Sequence, residues 1–97
     1  MTIKLILEVE IKPEVGAEME EGMRAAVPDT RAFDGCIAID VTRRDDNPNA
    51  WVIYEEWESK GHHERYIQWR TDTGFFDVWG PMMAGEPKTT YLQPVDM

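Results

Sequence analysis

Apolar and polar residues alternate along the beginning of the chain. Over residues 2–11 the apolar positions 3, 5, 7, 9 and 11 share one face, and Ile6 is the one apolar residue on the other. A period of two over ten residues is typical of a β-strand with one buried face. Two further strands are predicted over residues 37–42 and 51–57. The polar link between them, residues 45–49, is rich in turn formers and indicates an antiparallel hairpin.

Between the first two strands the apolar spacing changes to three and four residues. Pro13 suits the first turn of a helix, and the apolar stripe that follows it reaches Val27. Pro28 lacks a backbone donor and clashes with the preceding turn, so we expect a kink or a break near Val27.

A second helix is predicted after the third strand. Ser59 is a suitable N-cap, and the helix is expected to reach about Arg70. Residues 75–83 form a further apolar patch, which predicts a short helix interrupted by Gly80 and Pro81. A weaker final strand is predicted over residues 89–92.

The predicted order of elements is β-α-β-β-α-β. This order is that of the α+β, ferredoxin-like fold, a four-stranded antiparallel sheet with helices on one face. No repeat or linker divides the chain, so we expect a single domain over residues 1–97. The other sheet face would carry Ile6 and further apolar residues whose identity depends on the register. Because soluble monomers rarely expose such area, a homodimer formed through the sheet face is expected.

Composition narrows the classes of partner. The chain has 19 acidic and 10 basic residues, a net charge of −9, and no basic stripe, which argues against binding to nucleic acid or an anionic membrane surface. No apolar run is long enough for a membrane span or a signal peptide, so a cytoplasmic protein is expected. The single cysteine, Cys36, cannot form an internal disulfide and is expected to be an inert, buried thiol.

Two segments resemble the antibiotic biosynthesis monooxygenase family of dimeric α/β barrels. Residues 34–37 (DGCI) are similar to the turn that opens the family's second strand. Residues 55–59 (EEWES) are similar to the Glu-x-Trp-x-Ser run that closes its third strand and caps the second helix. The resemblance covers about residues 2–80. It implies a dimer and, as in several members, oxygenation of small aromatic quinols or enols by molecular oxygen without a metal or flavin cofactor, the deprotonated substrate itself delivering electrons.

The chain also departs from the family's pattern. Many members have a histidine on the second helix where this chain has Tyr66, and often another where it has Thr71. These departures favour an alternative function, that of a non-catalytic small-ligand-binding or stress-associated dimer on the same fold.

Candidate catalytic residues lie on the second helix. His63, Tyr66, Ile67 and Arg70 have the spacing i, i+3, i+4 and i+7, so they share one face. His63, with a pKa near neutrality, is a candidate general base, and Arg70 is a candidate for stabilising a substrate anion. The alternative is that the histidine is solvated and Arg70 pairs with a carboxylate.

The third strand supplies the other candidates. Its parity places Trp51, Ile53, Glu55 and Trp57 on one side, which we expect to face the helices unless a bulge reverses the register. A buried Glu55 is costly without a partner such as Arg70, His63 or a polar ligand, which suggests a polar spot in a pocket.

Trp57 and Tyr66 are accordingly predicted to point into one pocket between the sheet and the second helix. Further candidates for binding an aromatic substrate, each of which could equally be core or surface, are His62, Trp69, Phe33, Phe75 and Phe76. No metal site is expected, because adjacent residues of the His62-His63-Glu64 run point about 100° apart on a helix.

Overall fold

A four-stranded antiparallel sheet carries three helices in the computed structural model, which describes residues 2–97. The strands are β1 (Ile3–Glu10), β2 (Cys36–Arg44), β3 (Asn47–Trp57) and β4 (Lys88–Leu92), in the spatial order β2-β3-β1-β4. The helices are α1 (Gly16–Ala32), α2 (Lys60–Asp72) and α3 (Phe75–Trp79), and single 3₁₀ turns precede α1 and follow α3. The predicted α+β, ferredoxin-like fold is confirmed.

The register of the two central strands decides which side chains face the helices. In β3, Trp51, Ile53, Glu55 and Trp57 are all buried, at 4%, 3%, 4% and 0% exposure, so the predicted parity is confirmed. Leu5 of β1 lies directly opposite Glu55. The polar side chain of Glu55 is therefore fixed in the middle of an apolar sheet surface.

The first helix is longer than its sequence predicts. The expected break near Val27 is absent, and α1 continues through Pro28 to Ala32. Pro28 is exposed, whereas Val27 and Thr30 are buried. The proline therefore lies on the solvent side of the helix. Water can there bond to the backbone carbonyl four residues earlier, to which proline has no N–H to donate. Burial of the opposite side maintains the helix. This continuity places Thr30 against α2.

Two local features of β2 and β3 also differ from expectation. A bulge between Cys36 and Ala38 brings Cys36 and Ile39 to the helix side, while Ile37 is 47% exposed. The hairpin turn is shorter than predicted, since β3 begins at Asn47. The bulge resolves the register that the alternation of β2 had left open.

In the part of the chain that the structure describes, no helix covers the opposite sheet face. Ile6 and Tyr54 lie side by side at its centre, and Val52 is next to them along β3. All three are half-buried in the isolated chain. Of the helices within residues 2–97, none is both long and apolar enough to cross a membrane.

Candidate active site

A cavity of about 430 Å³ lies between the helix-covered sheet face and the helices α2 and α3. Its walls are mostly apolar and include Leu5, Leu7, Ile53, Phe75, Phe76 and Trp79. Polar atoms reach it from a few positions, chiefly Glu55, His63, Tyr66 and Tyr91. An apolar enclosure with a few polar groups is the usual composition of a small-molecule site.

Glu55 is the only residue with a formal charge at pH 7 among the described residues that line this cavity. Its Oε1 accepts a hydrogen bond of 2.9 Å from Nε1 of Trp57. The partner is thus the neighbouring indole, and neither Arg70 nor His63 is bonded to the carboxylate. Burial raises the pKa of the Glu55 carboxyl, and the bond from Trp57 opposes that rise. The second oxygen, Oε2, is left for a ligand.

His63 occupies the cavity-facing side of α2. The helix begins at Lys60, where Ser59 is the N-cap: its Oγ accepts a hydrogen bond from the backbone N–H of His62. Nδ1 of His63 lies 2.8 Å from the hydroxyl of Tyr91. Burial lowers the pKa of His63 to about 4, so the ring is neutral at pH 7. The near-neutral pKa expected for a general base is therefore wrong, and the imidazole is suited to hydrogen bonding.

Tyr66 and Arg70 form a buried network with α1. The Tyr66 hydroxyl lies 2.8 Å from Oγ1 of Thr30 and accepts a bond of 2.9 Å from Nε of Arg70. Nη2 of Arg70 also donates to the carbonyl of Ala26 at 3.0 Å and to Thr30 Oγ1 at 3.1 Å. Thr30 Oγ1 in turn donates to Ala26. The Tyr66 hydroxyl therefore donates to Thr30 and accepts from Arg70, so both of its main interactions are within the protein.

Arg70 is buried, at 5% exposure, but it is not part of the cavity wall. The expected carboxylate partner is absent from the described residues. The guanidinium instead lies over the rings of Trp69 and Phe75, 4.6 and 4.2 Å from their centroids. Such stacking compensates in part for removing the cation from water.

Three of the predicted substrate-binding aromatics lie behind the cavity. Trp57 and Tyr66 do pack between the sheet and α2, with ring centroids 5.1 Å apart, as predicted. Trp57 is nevertheless enclosed by protein and, like Phe33 and Trp69, is not part of the cavity wall. Phe33 stacks on Trp69 at 5.3 Å. These rings support Tyr66, whereas Phe75 and Phe76 do line the cavity as expected.

His62 lies outside the cavity, at the first turn of α2. Its Nδ1 is 2.6 Å from Ser59 Oγ, and its Nε2 is 3.6 Å from Glu58 and 3.9 Å from Asp34. The potential metal-ligand atoms of His62, Glu58 and Asp34 lie within 4.8 Å of one another, a spacing that would suit a cation. An ion pair between the imidazole ring and the two carboxylates would have the same geometry. His62 is thus a half-buried residue that is not part of the cavity wall.

Tyr91 is the site residue that sequence reasoning missed. It belongs to β4, lies opposite Leu5 and is half-buried. The available signal was the alternation of the last strand, in which Thr89 and Tyr91 share a side. That strand is short, and the register of its pairing with β1 could not be predicted from the sequence.

A second concavity, of about 480 Å³, lies on the surface between α1 and β2. Three of its charged residues form ion pairs: Glu20 lies 2.6 Å from Arg43 and 3.4 Å from Arg24. It has neither a buried acid nor a buried base, so the cavity beside Glu55 and His63 is the better candidate.

Comparison with known proteins places this geometry in a family. The family model described as antibiotic biosynthesis monooxygenase matches residues 2–71. No curated protein matches the sequence.

Solved structures support the same fold. A crystal structure of an antibiotic biosynthesis monooxygenase is 21% identical with a TM-score of 0.88, covering 97% of this chain and 99% of that one. A conserved protein from Methanosarcina mazei Go1 is 20% identical with a TM-score of 0.87, covering 96% and 92%. A putative antibiotic biosynthesis monooxygenase from Caulobacter crescentus CB15 is 22% identical with a TM-score of 0.85, covering 98% and 91%.

The resemblance expected from residues 34–37 and 55–59 is thereby confirmed. The family match spans β1, α1, β2 and β3 and nearly all of α2, which together supply most of the cavity wall, and it ends before α3 and β4. The chain belongs to the antibiotic biosynthesis monooxygenase family.

Proposed function

We propose that this protein is a cofactor-independent monooxygenase that oxidises a small aromatic quinol or enol with molecular oxygen. The observation that carries the proposal is the apolar cavity of about 430 Å³ with Glu55 and His63 in its wall. The family membership, and the similarity to a protein described as an antibiotic biosynthesis monooxygenase, agree with it.

The proposed reaction begins with a proton. A substrate hydroxyl donates to Oε2 of Glu55, the O–H bond breaks, and its electron pair stays on the substrate. The raised pKa of Glu55 makes it a better proton acceptor than an exposed carboxylate, whereas His63, with a pKa of about 4, is a weak one. His63 and Tyr91 then hold the substrate oxygens by hydrogen bonds.

The resulting anion can reduce oxygen directly. It passes an electron to O₂, and the two radicals combine into a carbon-bound peroxide anion. This anion takes the proton back from Glu55 and becomes a hydroperoxide. Loss of the C–H proton and cleavage of the O–O bond then release water and leave a carbonyl. A CH₂ group and O₂ thus become C=O and H₂O, which balances four electrons without an added reductant. The protein's contribution is a dry cavity, a proton acceptor and orientation.

Oxygen consumption with a panel of hydroxylated naphthalenes and anthrones tests the proposal. The wild-type protein should consume oxygen well above the buffer rate. His63→Ala should lower kcat/KM by about 10²-fold, a typical loss for a misplaced substrate. His62→Ala is the matched control, since His62 lies outside the cavity, and it should keep the wild-type rate. Equal rates for the two variants would contradict the assignment.

A second function, non-catalytic binding of an aromatic ligand, is favoured by one observation. The Tyr66 hydroxyl, which occupies the position of a family histidine, is engaged by Thr30 and Arg70. Saturable binding of the same compounds under argon, with no oxygen uptake in air, would establish this function instead.

We also propose a homodimer formed through the open sheet face. Ile6, Val52 and Tyr54 form an apolar strip at its centre, and burying them against a second copy removes them from water. Sedimentation should give about twice the chain mass of 11.2 kDa. Tyr54→Lys should shift the species toward the monomer, whereas a wild-type monomer at micromolar concentration would refute the proposal.

A further inference from the structure

Glu55 is an acidic residue in a cavity wall that has no basic residue to balance it, and this composition affects which ligand charges the cavity accepts. No lysine or arginine among the described residues lines it. The buried Arg70 is bonded to Tyr66, Thr30 and Ala26, and the exposed Lys60 lies over the ring of Tyr91, with Nζ 4.8 Å from the ring centroid. Glu55 is only 4% exposed. Among the described residues, its one hydrogen bond is the one that Oε1 accepts from Trp57. Among the described residues, the cavity wall therefore has one carboxyl group and no cationic side chain that would compensate the charge of its ionised form.

We propose that Glu55 is the specificity-determining residue of this cavity, and that it selects uncharged aromatic hydroxyl compounds and rejects those bearing a carboxylate. The inference rests on the proposed function only in that the ligand occupies this cavity. Oε2 requires a hydrogen-bond donor, which a hydroxyl group supplies and a carboxylate does not.

Charge conservation supports the same conclusion. When a neutral substrate gives its proton to Glu55, the single negative charge moves from the carboxylate to the substrate oxygen, and the total charge in the cavity is unchanged. A substrate carboxylate would add a second negative charge within the same apolar volume. Like charges repel more strongly in an apolar enclosure than in bulk water, because its effective dielectric constant is lower.

An isosteric ligand pair measures this selection. The affinities of 1,4-dihydroxy-2-naphthamide and 1,4-dihydroxy-2-naphthoate are determined by calorimetry under argon, so that no oxidation occurs. The wild-type protein should bind the amide at least about tenfold more tightly than the acid, because Glu55 adds repulsion to the cost of desolvating the carboxylate. Equal affinities in the wild-type protein would overturn the inference by themselves.

Glu55→Gln separates the repulsion by Glu55 from the general cost of burying an anion. Glutamine keeps an oxygen for the bond from Trp57 and removes the charge. The amide-to-acid preference should fall about tenfold or more in this variant. Glu56→Gln removes the same charge from the opposite sheet face and should keep the wild-type preference. Should Glu55→Gln fail to fold, Glu55→Met, which is also uncharged and of similar size, replaces it.

The outcomes distinguish this inference from the proposed function. An unchanged preference in Glu55→Gln overturns the role of Glu55 while leaving oxygenation in place. No binding of either naphthalene by the wild-type protein overturns both. Oxygen uptake that fails while the charge preference holds overturns only the catalytic function.

Discussion

Replacing Tyr66 by phenylalanine separates a structural role of its hydroxyl from a catalytic one. The hydroxyl donates to Thr30 at 2.8 Å and accepts from Arg70 at 2.9 Å, and all three residues are buried. Phenylalanine removes both bonds but keeps the ring that packs on Trp57 and Phe33. The perturbation is therefore polar, with almost no change in packing.

The magnitude follows from the two lost bonds. A hydrogen bond between neutral groups contributes about 1 kcal/mol, and one to a charged group about 1.5–3 kcal/mol. Arg70 keeps its bonds to Ala26 and Thr30, which limits the loss. We expect Tyr66→Phe to lower the free energy of unfolding by about 2–3 kcal/mol.

Urea unfolding followed by tryptophan fluorescence, at one fixed protein concentration, measures this loss. The slope with urea should be unchanged, since the surface exposed on unfolding is the same. Tyr54→Phe is the control, because no hydrogen bond of its hydroxyl is present within residues 2–97, and it should change stability by less than about 0.5 kcal/mol. Thr30→Val combined with Tyr66→Phe should be less destabilising than the sum of the single changes.

Two results would refute the reasoning. A loss of stability below about 0.5 kcal/mol would mean that the network contributes little. A variant of normal stability that loses about 10²-fold in kcat/KM would mean that the hydroxyl acts on the substrate. With the proposed structural role, kcat/KM measured well below the unfolding transition stays within about threefold of wild type, less than 1 kcal/mol in ΔΔG‡.

Three further predictions concern pH and the neighbouring residues. The folded pKa of His63, about 4, is below the ordinary value of 6.5, so the unfolded chain binds more protons between these pH values, and the contribution of His63 to stability is lost as pH falls from 6.5 to 4. His63→Gln should therefore reduce the pH-dependent change in the free energy of unfolding over that range by about 2 kcal/mol, measured by urea unfolding at several pH values. An unchanged pH profile would argue against a buried neutral ring. Glu55→Gln should raise stability at pH 7 by about 0.5–2 kcal/mol while lowering oxygen uptake, because it removes a buried carboxyl group whose ionised form is disfavoured by burial. A less stable variant would contradict this. Gly35→Ala should destabilise by about 2 kcal/mol or more, since φ is +91° and the new Cβ would lie 2.3 Å from the ring of His62; His62→Ala should restore only the part due to the clash, and a neutral Gly35→Ala would contradict the strain.

The features that the sequence could predict depend on short-range periodicity. The alternation of β1 and β3 places Leu5, Glu55 and Trp57 on the helix side, and the spacing of α2 places His63 and Tyr66 on one face. The features that it could not predict depend on long-range register. Burial of one side of α1 maintained the helix through its proline, and the pairing of β4 with β1 brought in Tyr91, which no local pattern marks as a site residue.

Arg70 and Glu55 are two buried ionisable residues near the cavity. Their hydrogen-bond partners distinguish a residue that stabilises the fold from one that is available to bind a ligand. Arg70 has three hydrogen-bond partners and two stacked rings, so the protein itself satisfies its charge. Within residues 2–97, Glu55 has one hydrogen-bond partner, the indole of Trp57, and no lysine or arginine lines the cavity beside its other oxygen. Both residues were candidates from the sequence, because both are charged at apolar positions. The unmet hydrogen-bonding capacity of Glu55, and not its charge alone, is the property that favours it as the residue that meets the ligand.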